Sequence, residues 1–350
     1  MHICRFPSLK AVILLAIASA SFASSSERPL IDGIAYTQPQ RMVEIEPGRR
    51  LNLYCVGNGS PTVIFESGLT DPINVWGYVQ PVVARKTRTC SYDRAGVGFS
   101  DAGRRPATSA NIVDDLHHLL IAAKIKPPYV LVAHSAGGLN ATLYAYTYPS
   151  EVAGMVLVDP TDENQTEGYR LLDPEKRTPA QWDAYAIEPG LQTRRECIVA
   201  ANAGFVTGTE LFKKCSFYQQ PQLSEAVQAA TIKFQMQPAF QQAQLSEEEN
   251  VFRASADQVR AARRSYGDMP LIVLTKSAGP PPKNPLPPEQ IAHREARYKM
   301  WVNLHAEVAK LSTRGVHEIV PGSGHAIQLE KPEAVNDAVI RMLTMISKQK

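Results

Sequence analysis

"PYVLVAHSAGG", residues 128–138, decides the fold. An apolar run of strand character stops at His134-Ser135, and the three residues that follow are all small. A nucleophile displayed from a tight strand–turn–helix corner requires small residues two places before and two after it, because backbone segments crowd there. Ala133 and Gly137 occupy those places, with alanine where the pattern has glycine. Such a corner aims the Ser135 hydroxyl outward. It also turns the Ala136 N–H, at the start of the next helix, toward the point where an oxyanion would form. The plainer alternative is a serine that caps a helix.

Outward from this corner, short β-rich runs alternate with helical patterns, the signature of a mostly parallel sheet with helices on both faces. Strands are expected at 41–46, 50–57, 61–67, 87–93, 128–134, 154–159, 270–275 and 316–320. The four between Val63 and Val158 are apolar nearly throughout, as strands buried on both faces are. Residues 109–125 form an amphipathic helix with Ile112, Leu116, Leu119 and Leu120 at helical spacing. From Thr161 to Gly267 no strand-like run occurs, and the Gln-, Ala- and Glu-rich stretch is patterned as helices. The expected organisation is therefore a leader at 1–23, a core in two parts at 24–160 and 268–350, and a helical cap at 161–267. The proline-rich stretch 278–290 is expected to be an extended loop before the helix that contains Trp301.

Serine at its ordinary pKa is a poor nucleophile and needs a base. His325, in the Gly-rich "VPGSGHAIQLEKPEAV" after the last strand, is the candidate. His117 and His118 lie on a helix, His134 flanks the serine, and His293, His305 and His317 read as helix or strand surface residues. The base in turn needs a carboxylate to hold its tautomer, expected after the seventh strand from the order Ser, acid, His. That stretch, "LIVLTKSAGPPPKNP", has no acidic residue. One strand earlier "GMVLVDPTDEN" ends on Asp159, with Asp162 next in reach. Adjacent parallel strands lie ~5 Å apart, so a carboxylate there can serve the same histidine. Asp159 is the expected acid and Asp162 the reserve; the alternative is that Asp159 only caps the exit turn.

The second oxyanion donor is expected in the loop after the third strand, where "ESGLTD" turns at Gly68 and offers the Leu69 N–H. Trp76 reads equally as pocket wall or core. Arg94, in "SYDRAGVGFSD", reads as structural and paired with a loop carboxylate. The GxG there lacks the context of a dinucleotide site.

Arg5 and Lys10, the apolar "AVILLAIASASFA" and the following "SSSERP" read as a secretory signal peptide cut near Ala23. Without residues 1–23, two of the 37 basic residues and none of the 34 acidic ones are lost, leaving 35 against 34. So even a balance gives no reason to expect nucleic acid or a charged membrane surface as partner. The expected location is exported, periplasmic or secreted. Cys55, Cys90, Cys197 and Cys215 have no metal-type spacing, and an even number in an exported chain suggests two disulfides with three possible pairings.

Taken together, "ESGLTD", "SYDRAGVGFSD", "VAHSAGG" and "GSGHAI" resemble the α/β-hydrolase superfamily over residues 40–160 and 265–347. The resemblance is to its capped serine-hydrolase branch, akin to haloalkane dehalogenase-like folds but with serine as nucleophile. Ser67 stands where many members have histidine. The resemblance implies an eight-stranded sheet with the cap inserted after strand six, and an acid carried by strand six. It also implies that strands two and four are neighbours, which suits Cys55–Cys90 and leaves Cys197–Cys215 within the cap. The function expected is hydrolysis of a carboxylic ester by Ser135, His325 and Asp159, with Leu69 and Ala136 N–H groups as oxyanion donors. Amide, thioester or carbon–carbon hydrolysis and acyl transfer use the same apparatus, and a catalytically silent ligand-binding relative is the alternative class. A small acyl substrate is implied, with no metal or organic cofactor and no stable membrane insertion. Phe234, Met236 and Phe240 read as acyl-pocket lining or, more plainly, as the cap's own core.

Overall fold

The alternation of apolar runs builds one eight-stranded sheet: β1 (Arg41–Glu46), β2 (Arg49–Val56), β3 (Thr62–Glu66), β4 (Thr89–Tyr92), β5 (Tyr129–His134), β6 (Val152–Val158), β7 (Leu271–Lys276) and β8 (Gly315–Val320). Their spatial order is β1-β2-β4-β3-β5-β6-β7-β8. β1 and β2 run antiparallel to their neighbours, and every pairing from β4 to β8 is parallel. The structure, a computed structural model, describes residues 28–216, 220–280 and 284–348. The proposed signal segment and its cleavage point lie outside the described residues.

The central strands are buried on both faces, which is why their sequences do not alternate in polarity. Their side chains nevertheless separate with period two. Ile64, Leu131, Met155, Leu271 and Val273 join one core with α2 (Ser109–Ala122) and α3 (Gly137–Thr147). Val63, Phe65, Val130, Val132, Val156, Val158, Ile272 and Leu274 join the other. That second layer is covered by Trp76, by α1 (Gln80–Val83) and, after β8, by a C-terminal helix spanning Pro332–Ser347. Trp76 is fully buried, so it is core rather than pocket wall, and its indole donates to Ser67 Oγ at 3.0 Å.

Between β6 and β7 the chain forms α4 (Gln165–Leu171), α5 (Pro179–Trp182), α6 (Glu188–Ala203), α7 (Glu210–Cys215), α8 (Glu225–Gln235), α9 (Pro238–Val251) and α10 (Ala254–Ala262). These helices are tied to the sheet layer by polar contacts: Ser246 Oγ accepts from the Ala107 N–H and Ser255 Oγ from the Ser109 N–H. Phe234 and Phe240 pack with Val97 as a small core of their own. After β7 come α11 (Pro288–Ala309), α12 (Ile327–Glu330) and, as α13, the Pro332–Ser347 helix.

Most strand bounds shift by one or two residues, and two helix boundaries differ for a clear physical reason. The 109–125 helix stops at Ala122, because Lys124 turns left-handed (φ 58°) and closes the end with Lys124 N–H to Ile121 O and Ile125 N–H to Leu120 O. The loop expected through residue 290 gives way to helix at Pro288, since proline suits a first helical turn where its missing N–H costs nothing. Cys55 lies directly opposite Cys90 in the β2–β4 register and is disulfide-bonded to it. Cys197 on α6 is bonded to Cys215 on α7, with Cα atoms 5.6 Å apart. Among the described residues no helix is long and apolar enough to cross a membrane.

Candidate active site

The carboxyl ends of β3, β5 and β6 each lead into a residue that is left-handed without being glycine: Thr70 (φ 50°), Ser135 (φ 51°) and Asp159 (φ 44°). Each such conformation costs about 1–3 kcal/mol and persists only where the surroundings over-determine it. At Ser135 they do: its N–H donates to Val158 O at 3.2 Å, and its carbonyl accepts from Gly138 at 2.8 Å and Thr161 at 2.9 Å. Gly137 is required by close approach, since a Cβ there would lie 2.4 Å from Ser67 O and 2.7 Å from Glu66 O. Ala133, wholly buried, fits with its methyl in place.

Ser135 Oγ lies 2.9 Å from His325 Nε2, and His325 Nδ1 lies 2.6 Å from Asp159 Oδ2. A carboxylate can only accept, so Nδ1 carries the proton and Nε2 presents its lone pair to the serine hydroxyl. The loop of His325 is held by His134, whose Nε2 donates to the His325 carbonyl at 3.0 Å.

Asp159 is completely buried. Burial raises a carboxyl pKa, but here the His325 hydrogen bond and the Lys276 charge outweigh it and hold Asp159 at about 2. Its Oδ1 accepts from Trp301 Nε1 at 2.8 Å and from the Lys276 backbone N–H at 3.0 Å. Three N–H donors, from His325, Trp301 and the Lys276 backbone, thus hold the carboxylate. His325 is the exposed member, with 45% of its side chain open to solvent. Desolvation of its remaining surroundings lowers its pKa below the usual histidine value, against the raising effect of Asp159. Asp162 takes no part in this chain of contacts: its Oδ1 accepts from the Asn164 N–H at 2.7 Å, and burial pushes its carboxyl up to about 6.

The Leu69 and Ala136 N–H groups have no acceptor among the described residues, and the two residues line one small cavity with Leu139, Asn140 and Glu247. A larger cavity of about 340 Å³ lies behind Arg94 and Glu247, and neither Ser135 nor His325 lines it.

Two readings of the sequence need correction. His305 is not a surface residue but fully buried, with Nδ1 2.7 Å from Thr275 Oγ1 and Nε2 donating to Pro160 O at 2.8 Å. Burial lowers its pKa to about 4. The signal was present in the helical spacing of Trp301, His305, Val308 and Ala309, which together form the buried face of α11. Arg94 pairs not with a loop carboxylate but with Glu66 at the end of β3 and Glu247 on α9. Trp301 and Lys276, both ligands of Asp159, carried no sequence signal of that role.

Residues 61–255 match the model of the alpha/beta hydrolase fold family. The chain is 22% identical over 310 residues to an AB hydrolase superfamily protein of Gibberella zeae, covering 82% of this chain and 87% of that one. YqjL, an uncharacterized protein of Bacillus subtilis, is 36% identical over 104 residues, which is 30% of this chain and 41% of that protein. Across the first three curated relatives the match spans between 29% and 51% of their length. Among solved structures, an alpha/beta hydrolase fold protein from Burkholderia ambifaria superposes with TM-score 0.56 at 19% identity, covering 86% of this chain and 99% of that one. Cfl2 from Burkholderia cenocepacia gives 0.61 at 18% identity, with 86% and 94% covered. At such identities these structures speak for the fold alone. With the family match spanning more than half of the sequence and the strand order and nucleophile-type corner described above, the chain belongs to the α/β-hydrolase fold family.

Proposed function

We propose that this hydrolase is a serine esterase that cleaves a carboxylic ester, or a related acyl bond, through an acyl-enzyme on Ser135. The observation that carries the reading is the unbroken pair of contacts on His325, 2.9 Å to Ser135 and 2.6 Å to Asp159. Ser135 Oγ attacks the acyl carbon while its proton passes to His325 Nε2. The negative charge that develops on the carbonyl oxygen is met by the Leu69 and Ala136 N–H groups. Collapse breaks the bond to the leaving alkoxide, which takes the proton back from His325. A water then attacks the acyl-serine with His325 again as base, releasing the carboxylic acid and restoring the hydroxyl. Asp159 stays ionised and steadies the imidazolium. Epoxide- or haloalkane-opening chemistry of this family's other branches uses an aspartate at the elbow, where this chain has Ser135.

The helices between β6 and β7 act in this reading as a cap over the site, bounded by residues 161 and 267. The disulfides and the signal-like leader support export to the periplasm or beyond. The substrate is a small acyl compound, and near-even charge supports neither nucleic acid nor a membrane surface as partner.

Nitrophenyl esters of increasing chain length and a fluorophosphonate probe test this. Turnover and labelling of the wild type, both lost in Ser135→Ala, are expected. A wild type that neither turns over nor takes the label would leave the ligand-binding relative as the better reading.

A further inference from the structure

The backbone on either side of Leu69 is held by one buried ion pair whose two members lie 153 residues apart. Arg94 donates Nη1 to Ser67 O at 2.8 Å and Nη2 to Gly68 O. Glu247 Oε2 accepts from the Thr70 N–H at 2.7 Å. The two side chains meet in a two-pronged pair, Nε to Oε1 at 2.8 Å and Nη2 to Oε2 at 2.9 Å, and Glu66 Oε1 accepts from Arg94 Nη1 at 3.0 Å. Tyr92 and Asn140 complete the shell of Glu66.

The Gly68 carbonyl and the Leu69 N–H belong to one planar trans peptide and point in opposite directions. A donor that fixes Gly68 O therefore fixes the direction of the Leu69 N–H. The next peptide is fixed from its other end, through the Thr70 N–H on Glu247. Thr70 itself is left-handed at φ 50°, a strain that needs such an anchor. Buried ion pairs are weak contributors to stability, because desolvation cancels much of the attraction. This one commits donors and acceptors to the two peptide units that flank a single residue.

The geometry points to Arg94 and Glu247 as positioning residues that aim the Leu69 oxyanion donor. Glu247 is supplied by α9 of the insertion, so the donor is set only when that helix is seated on the sheet. This rests on the esterase reading above, and it makes the insertion a part of the rate-determining machinery rather than only a cover.

The test uses the full chain with Glu247→Ala, Glu247→Gln and Arg94→Lys, measuring kcat and KM for a nitrophenyl ester, inhibition by a trifluoromethyl ketone, and Tm. Loss of an oxyanion donor costs about 10²–10³-fold in kcat, so E247A is expected to lose about 10²-fold with little change in KM. Affinity for the ketone, whose adduct carries the oxyanion, should fall in parallel with kcat/KM. E247Q keeps an acceptor for Thr70 but not the ion pair, and should fall between E247A and wild type. R94K should resemble E247A, because the three N–H donors of one ammonium cannot replace a guanidinium that serves two carbonyls and two carboxylates. Losses confined to Tm or KM, or ketone affinity unchanged while kcat falls, overturn the positioning role. If E247A does not fold, R94K with wild-type kcat overturns it equally. A wild type without turnover removes the esterase reading and this inference with it, whereas active wild type beside fully active variants removes only the inference.

Discussion

Lys276 donates its backbone N–H to Asp159 Oδ1 at 3.0 Å and holds its ammonium 3.5 Å from Oδ2. The tip of β7, where the order of triad residues calls for an acid, thus carries a cation that turns back on the carboxylate at the tip of β6. The ammonium also sits 4.7 Å over the Trp301 ring, whose indole N–H shares Asp159 Oδ1. In the esterase reading the acid therefore sits one strand over, at Asp159, where the His325 hydrogen bond and the Lys276 charge keep it ionised.

Asp159→Asn is accordingly expected to lower kcat by about 10⁴-fold, because an amide opposite Nδ1 favours the wrong imidazole tautomer. Asp162→Asn, whose carboxylate is engaged by the Asn164 N–H and not by the ring, should leave ester turnover near wild type. Steady-state rates of the two variants on one nitrophenyl ester decide between the carboxylates, and equal losses would overturn the assignment to Asp159.

The pH profile follows from His325. Its pKa lies below the usual histidine value, so the neutral base persists into mildly acidic solution and is lost only as pH falls through that lowered value. The acid limb of kcat/KM is expected below pH 6.5, the ordinary histidine value. Lys276 contributes to the lowering by disfavouring a second positive charge nearby. Lys276→Met should therefore move the limb to higher pH, while a shift to lower pH would contradict the assignment.

Folding stability carries a second titration. His305 is buried neutral with a pKa of about 4 against an ordinary 6.5. Between those values the unfolded chain binds a proton that the folded chain does not, so stability is full above 6.5 and falls as pH drops toward 4. The gap corresponds to on the order of 3 kcal/mol. Urea midpoints across that range should show the decline in wild type and a flatter slope in His305→Gln.

Gly137→Ala should disable the corner. The added methyl would meet two backbone oxygens that cannot swing aside, Ser67 O and Glu66 O. Overpacking of this kind costs about 1–3 kcal/mol and moves backbone, here directly beneath the serine. A lower Tm with ester turnover reduced by more than about 10²-fold is expected, since small displacements of reacting groups cost that much. Ala133→Gly, by contrast, removes only a methyl and should keep most of the activity.

Much of this molecule was legible along the chain because it depends on local rules. Each of the eight strands is a β-rich run, and the central ones are nearly all apolar, since burial on two faces leaves no room for alternation. Their bounds fall within two residues of those read from the sequence. The strained turn at Ser135 was legible because it demands small neighbours, and His325 stood out because a histidine in a glycine-rich loop has no helical or strand pattern to explain it; the structure brings the two side chains within 2.9 Å.

What the linear order could not decide was who meets whom across the sheet. The choice between Asp159 and Asp162 turns on three residues of chain and on which carboxylate the β6 tip points at the ring. The burial of His305 depends on which face of α11 meets β7. Arg94 and Glu247 find each other over 153 residues. Local propensity and period are properties of neighbours in sequence, and these are decided by nearest neighbours. Charge pairing and desolvation act through space over a few ångströms, so the partners of Asp159, His305 and Arg94 exist only once the sheet is assembled and the insertion is laid on it.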